Sequence, residues 1–401
     1  MKLVIILLSY LSILRLIYFP FLGVQSIYAT AISSILLSGI LVVYFKIDKS
    51  KLIIIFYSLL LFILNLFTPD TSFNYKVISY FETITPFLLL GSVSSSRFSK
   101  FLRNKIKFFQ NGIIFLIFIL LIGHLIEFLG YPLPKVNATP LTEAISEDFS
   151  LKSRIASFVG VAGPYSLSLS YLLISLQILK PKIFFLIFTL GTIPLLYSFS
   201  RLGLAIFFIF NFTVFIFEFL KIISIKNGLI KKRGLFVSLA ISFLILIGIS
   251  FGYGDKVIVV LNRFIDGFDF TGDAGNVDRL QRFFYLINDF KEDNIMNILI
   301  GDGTGTTART VGAPQGESQI GKIYVEWGFL GISLILVWLL EIVGILKFKF
   351  DQVLIKSNGL KIALFITLFA NLLFIQAFTS SPIFVSMIFP LIAIHYQEIF
   401  K

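Results

Sequence analysis

The chain has 401 residues, of which 57% are apolar and 14% charged; it carries 48 Phe and has a mean hydropathy of +0.94. A water-soluble chain of this length would carry about a quarter of its residues charged, so the composition belongs to the membrane class. Cysteine is absent and only His124 and His395 supply imidazoles, which excludes disulfide frameworks, thiolate nucleophiles and a histidine-rich metal site. The formal charge of +12 comes from bases set between apolar runs and not on one soluble basic face, so no nucleic-acid partner is expected.

Apolar stretches near the ~20 residues needed to cross a bilayer follow one another along the chain. They are predicted at 3–24, 26–45, 52–67, 77–93, 108–130, 156–179, 183–199, 202–220, 235–251, 321–345, 361–379 and 382–397. The first follows Lys2 and has no clear small-x-small cleavage site, so it reads as a membrane helix. The expected fold is an all-α polytopic membrane protein of about twelve spans. Residues 1–251 hold spans one to nine, 252–320 form a large loop, and 321–401 hold spans ten to twelve.

Most of the 34 Lys and Arg fall on one side when the N-terminus is placed inside, with clusters at Lys46–Lys51, Arg97–Lys107, Lys221–Arg233 and Lys347–Lys361. The positive-inside bias then puts both termini in the cytoplasm. Two outward segments are long: 131–155 and about 252–320. The second carries ten acidic against six basic residues, the pattern of a solvated segment. Within it, Leu280, Phe283, Phe284 and Ile287 recur at helical spacing, which predicts an interfacial helix over 277–290.

Gly301-Asp302-Gly303-Thr304-Gly305 closes the long loop. It is followed by Glu317-Ser318 and, inside the tenth span, by Gly328-Phe329-Leu330-Gly331. Alternate glycines let a backbone turn tightly and approach a ligand closely, although a solvent-facing turn before a membrane helix asks for the same residues. Arg279 and Arg282 lie three apart on the loop helix and can present guanidinium forks together. Arg154 and Arg201 stand on the side where orientation rules disfavour cations, at a cost that lipid headgroups or an anionic ligand would offset. These outward arginines favour an anionic ligand. Glu317 could serve as a general base, or equally as an acid favoured by the dipole of the helix that follows.

Polar residues within spans are site candidates by default. Arg15, Glu82, Glu127, Glu218, Glu326 and Glu341 qualify. Glu326 could contribute to a site near Glu317 or pack with Arg15. His124 and Glu127 read as helix–helix glue, His395 as an interfacial anchor, and the Gly328–Gly331 pair as a means of close helix packing.

Together these features resemble the O-antigen polymerase and O-antigen ligase superfamily. The resemblance lies in the order of Arg154 before small residues, Ser200-Arg201 at a helix junction, Arg279 with Phe283 four later, Gly301-x-Gly303-x-Gly305, and Glu317-Ser318 ahead of Gly328-x-x-Gly331. The late outward loop agrees with it. It implies a fold similar to GT-C-type membrane glycosyltransferases and a location in the bacterial inner membrane, with the active site facing the periplasm. The implied reaction is glycosyl transfer from a polyprenyl-diphosphate-linked oligosaccharide, without cofactor or metal. Arg201, Arg279 and Arg154 would correspond to diphosphate-binding arginines. Glu317 stands where the ligase branch carries histidine, which favours a polymerase. The resemblance implies Glu317, Arg279 and Arg201 as catalytic, and Arg154, Arg282, Gly301, Gly303, Gly305, Ser318 and Glu326 as substrate-binding. Membrane lipid and a chain-length regulator protein are the further partners it leaves room for. An O-antigen ligase and a flippase of lipid-linked glycans are the alternatives.

Overall fold

A computed structural model describes residues 26–65, 73–131, 133, 155, 157–159, 162–198, 200–219, 295–303, 318–345, 359–374 and 381–399. The described residues are mostly helical, and no strand occurs among them. The helices are α1 (Ser26–Phe45), α2 (Lys49–Asn65), α3 (Phe73–Val93), α4 (Ser96–Arg103), α5 (Ile106–Phe128), α6 (Ala162–Leu179), α7 (Phe184–Tyr197) and α8 (Arg201–Phe219). They continue as α9 (Ile295–Ile300), α10 (Gln319–Val343), α11 (Gly359–Phe374), α12 (Ser381–Ser386) and α13 (Ile388–Ile399). Each predicted span lying within the described residues coincides with a helix, the last divided into α12 and α13 at Met387. The spans at 3–24 and 235–251 and the loop helix at 277–290 lie outside the described residues. Among the described helices α5, α6 and α10 are long and apolar enough to cross a membrane.

Helices in lipid gain little from burying apolar surface against one another, so close backbone approach and hydrogen bonds decide where they meet. Helix α6 is the central column, with most of its residues buried. Its small polar residues form the seams. Ser166 Oγ bonds Ser200 Oγ at 2.7 Å, Ser170 Oγ donates to the Gly203 carbonyl at 2.7 Å, and Gln177 Nε2 donates to Asn211 Oδ1 at 2.8 Å. These bonds rise in step along both helices, so α6 and α8 run parallel. On another side Ser168 Oγ donates to the Pro382 carbonyl at 3.3 Å, and Ser386 Oγ donates to Ser168 Oγ at 2.9 Å. Large apolar side chains turn outward instead: Phe56, Phe115, Phe118 and Phe212 are all more than half exposed, the surface a bilayer would solvate.

At one end of the bundle the turns are basic. Lys51, buried, meets Asp48 at 3.1 Å and the Ser94 carbonyl at 2.9 Å. Lys361 Nζ reaches the Gly344 carbonyl at 3.4 Å, and His395 Nε2 lies 2.7 Å from the Ile342 carbonyl. Half-buried His395 thus meets one of the last carbonyls of α10, and Gly344, at φ 81°, ends that helix in the left-handed conformation. Glu341 accepts a 2.6 Å bond from Ser50 Oγ.

The basic stretch 97–107 holds a helix that span-length hydropathy does not register. Ser95 caps α4 by accepting from the Phe98 amide at 3.2 Å. Phe98 and Leu102, four apart, are buried, and Phe98 meets Phe45 edge to face at 4.7 Å, while Arg97, Lys100 and Arg103 stay exposed. Burying one such aromatic stabilises the fold by about 2 kcal/mol.

Gly203 sits where α8 touches α6, and a Cβ there would lie 2.5 Å from the Ser166 carbonyl carbon. Backbone cannot step aside cheaply. Gly203→Ala is expected to lower the thermal midpoint of the detergent-solubilised protein by several degrees, a loss of about 2 kcal/mol. Gly39→Ala, with nothing within 4 Å of the added methyl, should leave the midpoint equal or higher, because alanine favours helix by about 1 kcal/mol.

Candidate functional site at an interrupted helix

Helix α10 begins at a cap. Ser318 Oγ accepts from the Gly321 amide at 3.1 Å, and its hydroxyl also lies 3.4 Å from the Leu372 carbonyl of α11. Since Lys361 of α11 meets Gly344 beyond the other end of α10, the two helices run antiparallel. Along the first turns of α10, Lys322 and Glu326 are four apart and face α3 together. Lys322 Nζ donates to Glu82 Oε2 at 2.8 Å, and the carboxylate of Glu326 accepts from Ser79 Oγ at 2.8 and 3.0 Å. Glu326 is 1% exposed. A charge in that position is retained only with hydrogen-bonding partners. Sequence alone left Glu326 a choice of partners; its hydroxyl partner is Ser79, and Arg15 lies outside the described residues.

Two residues after Glu326 the helix breaks. Gly328 has φ 60° and ψ −156°, a conformation essentially confined to glycine. It lies roughly 14 Å along α10 from the first residue, at a rise of about 1.5 Å per residue. The reason is a second chain segment. A Cβ on Gly328 would lie 2.5 Å from the Leu299 carbonyl atoms and 2.7 Å from the Gly301 amide, and one on Gly301 would lie 2.5 Å from the carbonyl carbon of Glu326 and the amide nitrogen of Trp327. The two backbones therefore touch directly, glycine to glycine. The Asp302 amide donates to the Val325 carbonyl at 2.8 Å, which satisfies an acceptor on the broken turn.

The inserted segment explains itself locally. Helix α9 is six residues long, and the Gly301 amide closes it on the Asn297 carbonyl at 2.7 Å. Gly301 and Gly303 then take φ of 80° and 112°, left-handed values that glycine adopts without strain. Both are buried, whereas Ile295, Met296 and Leu299 of α9 are exposed. The end of the segment expected to be solvated is thus packed against the interior of α10. Gly328, expected to permit close helix packing, interrupts its own helix; Gly331 remains helical, and a Cβ there would meet Trp327 Cβ at 2.5 Å.

The remaining candidates divide clearly. Arg201 begins α8, and Ser200 before it is fixed by the 2.7 Å bond to Ser166. Arg154, Arg279, Arg282, Gly305 and Glu317 lie outside the described residues, as do Arg15 and the loop helix. His124 Nδ1 lies 2.9 Å from Tyr165 Oη, and Glu127 Oε2 accepts from the Ser157 amide at 2.6 Å. Both tie α5 to the start of α6, the gluing role expected of them. Ser157 has φ 49°, its hydroxyl donates to the Leu120 carbonyl at 2.8 Å, and Gly123 leaves the room that Ser157 Oγ and Phe158 occupy. Sequence reading missed the Ser79 partner and the Glu82–Lys322 pair. The spacing of Lys322 and Glu326 was the available signal.

Gly328→Ala is expected to lower the thermal midpoint more than any helix-interior Gly→Ala change. The positive φ alone costs about 1–3 kcal/mol, and the Leu299 carbonyl blocks the methyl. Gly163→Ala, where nothing lies within 4 Å, is the control, and similar midpoints for the two variants would contradict the packed break. No protein-family model matches the chain, and none of the curated proteins compared with it matches.

Proposed function

We propose that the protein is a bacterial inner-membrane glycan polymerase. It joins polyprenyl-diphosphate-linked oligosaccharide repeats at the periplasmic face by inverting glycosyl transfer, within a fold of about twelve spans and with both termini cytoplasmic. The observation that carries this reading is the contact between Gly301-Asp302-Gly303 and the break at Gly328. Two short glycine patterns, far from specific one at a time, meet backbone to backbone. Their contact brings the end of the long loop to the helix whose first turn follows Glu317.

The chemistry follows from the residue types. Cleaving a glycosyl-diphosphate bond leaves charge on the departing oxygen, and Arg279, Arg201 and Arg154 would stabilise it through bidentate hydrogen bonds. The acceptor hydroxyl attacks the anomeric carbon as the bond to the diphosphate breaks, and its proton passes to the Glu317 carboxylate. One general base without a second carboxylate nucleophile gives a single displacement and inversion. Arg282, Gly305 and Ser318 would line the donor, with Glu326 held by Ser79 behind them.

One observation favours a second reading. Interrupted helices are common in carriers, so a flippase for lipid-linked glycans shares this feature. Reconstitution separates the two. In proteoliposomes supplied with lipid-linked oligosaccharide the polymerase elongates the glycan, and a carrier moves it without elongation. Arg279→Ala and Glu317→Ala should each reduce polymer formation at least about a hundredfold, the scale of losing a transition-state donor or a general base, while single lipid-linked repeats accumulate. Normal chain lengths in both variants would remove the proposal; glycan transferred once to lipid A without lengthening would indicate the ligase.

A further inference from the structure

Most buried polar side chains described in this bundle are bonded, although Tyr171 Oη and Gln177 Oε1 are not. Buried Thr83, Thr85, Ser175 and Thr367 donate to the carbonyl one turn back. Buried Asn211 uses both ends of its amide: Nδ2 donates to the Phe207 carbonyl at 2.7 Å and Oδ1 accepts from Gln177 at 2.8 Å. Asn371 on α11 departs from this. It is fully buried at 0% exposure, yet neither its Nδ2 nor its Oδ1 has a hydrogen-bond partner. A buried carboxamide with both ends unsatisfied destabilises the protein that carries it.

Its position in the fold is informative. The next residue, Leu372, accepts the bond from Ser318 at the start of α10. Helix α11 packs against both α10 and α8. Beyond α11 the short link 375–380 leads to Pro382, whose carbonyl meets Ser168 in the same turns of α6 that hold Ser166 and Ser200. Asn371 therefore stands at the end of the bundle where α8 begins at Arg201 and α10 begins after Glu317. At 3.4 Å the Ser318–Leu372 bond is long for an O–H···O contact.

We propose that the Asn371 carboxamide is a binding group for the hydroxyls of the glycan. An anion would satisfy Nδ2 and leave Oδ1 orphaned, and a cation would do the reverse. A ligand that both donates and accepts at neighbouring atoms, such as a vicinal pair of sugar hydroxyls, satisfies both ends. The assignment of ligand class rests on the polymerase reading; the orphaned amide does not. Asn371 is a positioning and specificity residue, since nothing puts it at the reacting atoms.

The test separates the two. Asn371→Leu keeps the volume and removes both orphan groups, and Asn371→Thr can satisfy its hydroxyl on the preceding turn. In the purified full chain each should raise the thermal midpoint without ligand. With lipid-linked oligosaccharides extracted from the host membrane as substrate, each should raise KM about tenfold, the loss of a neutral hydrogen-bonding pair, with kcat changed less than about twofold. A lowered midpoint in both variants would mean that the amide has a structural partner, and an unchanged KM in both would mean that it holds water only; either overturns the inference. Should wild-type protein elongate nothing, the polymerase reading fails by itself. Asn371 is then judged by the midpoint rise that the same oligosaccharides induce, and equal rises in wild type and Asn371→Leu overturn it.

Discussion

An interrupted helix among apolar side chains is tolerable only where another piece of chain meets the backbone groups that the interruption frees. At Gly328 that piece is the turn after α9, and the contact demands glycine from both partners: Gly328 on α10 and Gly301 on the turn each leave less space than a methyl needs. The Asp302 amide bonded to the Val325 carbonyl completes the joint. Much of the site follows from this one constraint. Gly328 cannot be helical, Trp327 and Glu326 end the first half of α10, and the long loop is pinned at Gly301, 17 residues before Ser318. Beside the joint, the apolar α9 keeps Ile295 and Met296 exposed.

The other helices are joined by a different device. Between α6 and its neighbours the contacts are Ser to Ser, Ser to carbonyl and amide to amide, and Gly203 brings α8 against Ser166. In lipid such bonds each contribute modestly, about 0.6 kcal/mol on average, so specificity comes from their register more than their number. Bonds at 166–200, 170–203 and 177–211 can coexist in only one relative sliding of α6 and α8. The same logic fixes α3 on α10, where Ser79 meets Glu326 and Glu82 meets Lys322. Sliding by one turn would strand a buried carboxylate.

These devices account for what could be read from the residues and what could not. Helix positions were legible because an apolar run of span length has few other uses, and predicted and observed limits agree within a few residues at α1, α3, α5 and α10. Helix α4 was not, since eight residues with three bases resemble a loop until Phe98 and Leu102 are seen to share a buried face. The Gly301 and Gly303 turn was legible as a turn, but its burial was not, because nothing in its own sequence says that Gly328 has opened a helix to receive it. Charges inside spans announced themselves as costly, yet their partners came from α2, α3 and the turn before α6, far away in the chain: Ser50 for Glu341, Ser79 for Glu326, the Ser157 amide for Glu127.

The fixed points have a consequence for any chemistry at the end opposite the basic turns. Three residue positions that the sequence singles out there each adjoin a residue held by a hydrogen bond across helices. Ser157, three after Arg154, is held by Glu127 and Leu120; Ser200, directly before Arg201, by Ser166; Ser318, directly after Glu317, by its own helix and more loosely by Leu372. An active site needs its groups positioned to within a fraction of an ångström, and positions borne on anchored helix ends reach that more readily than positions within long loops. Arg279 and Arg282 lie outside the described residues, and the described contact of the long loop is the one at Gly301.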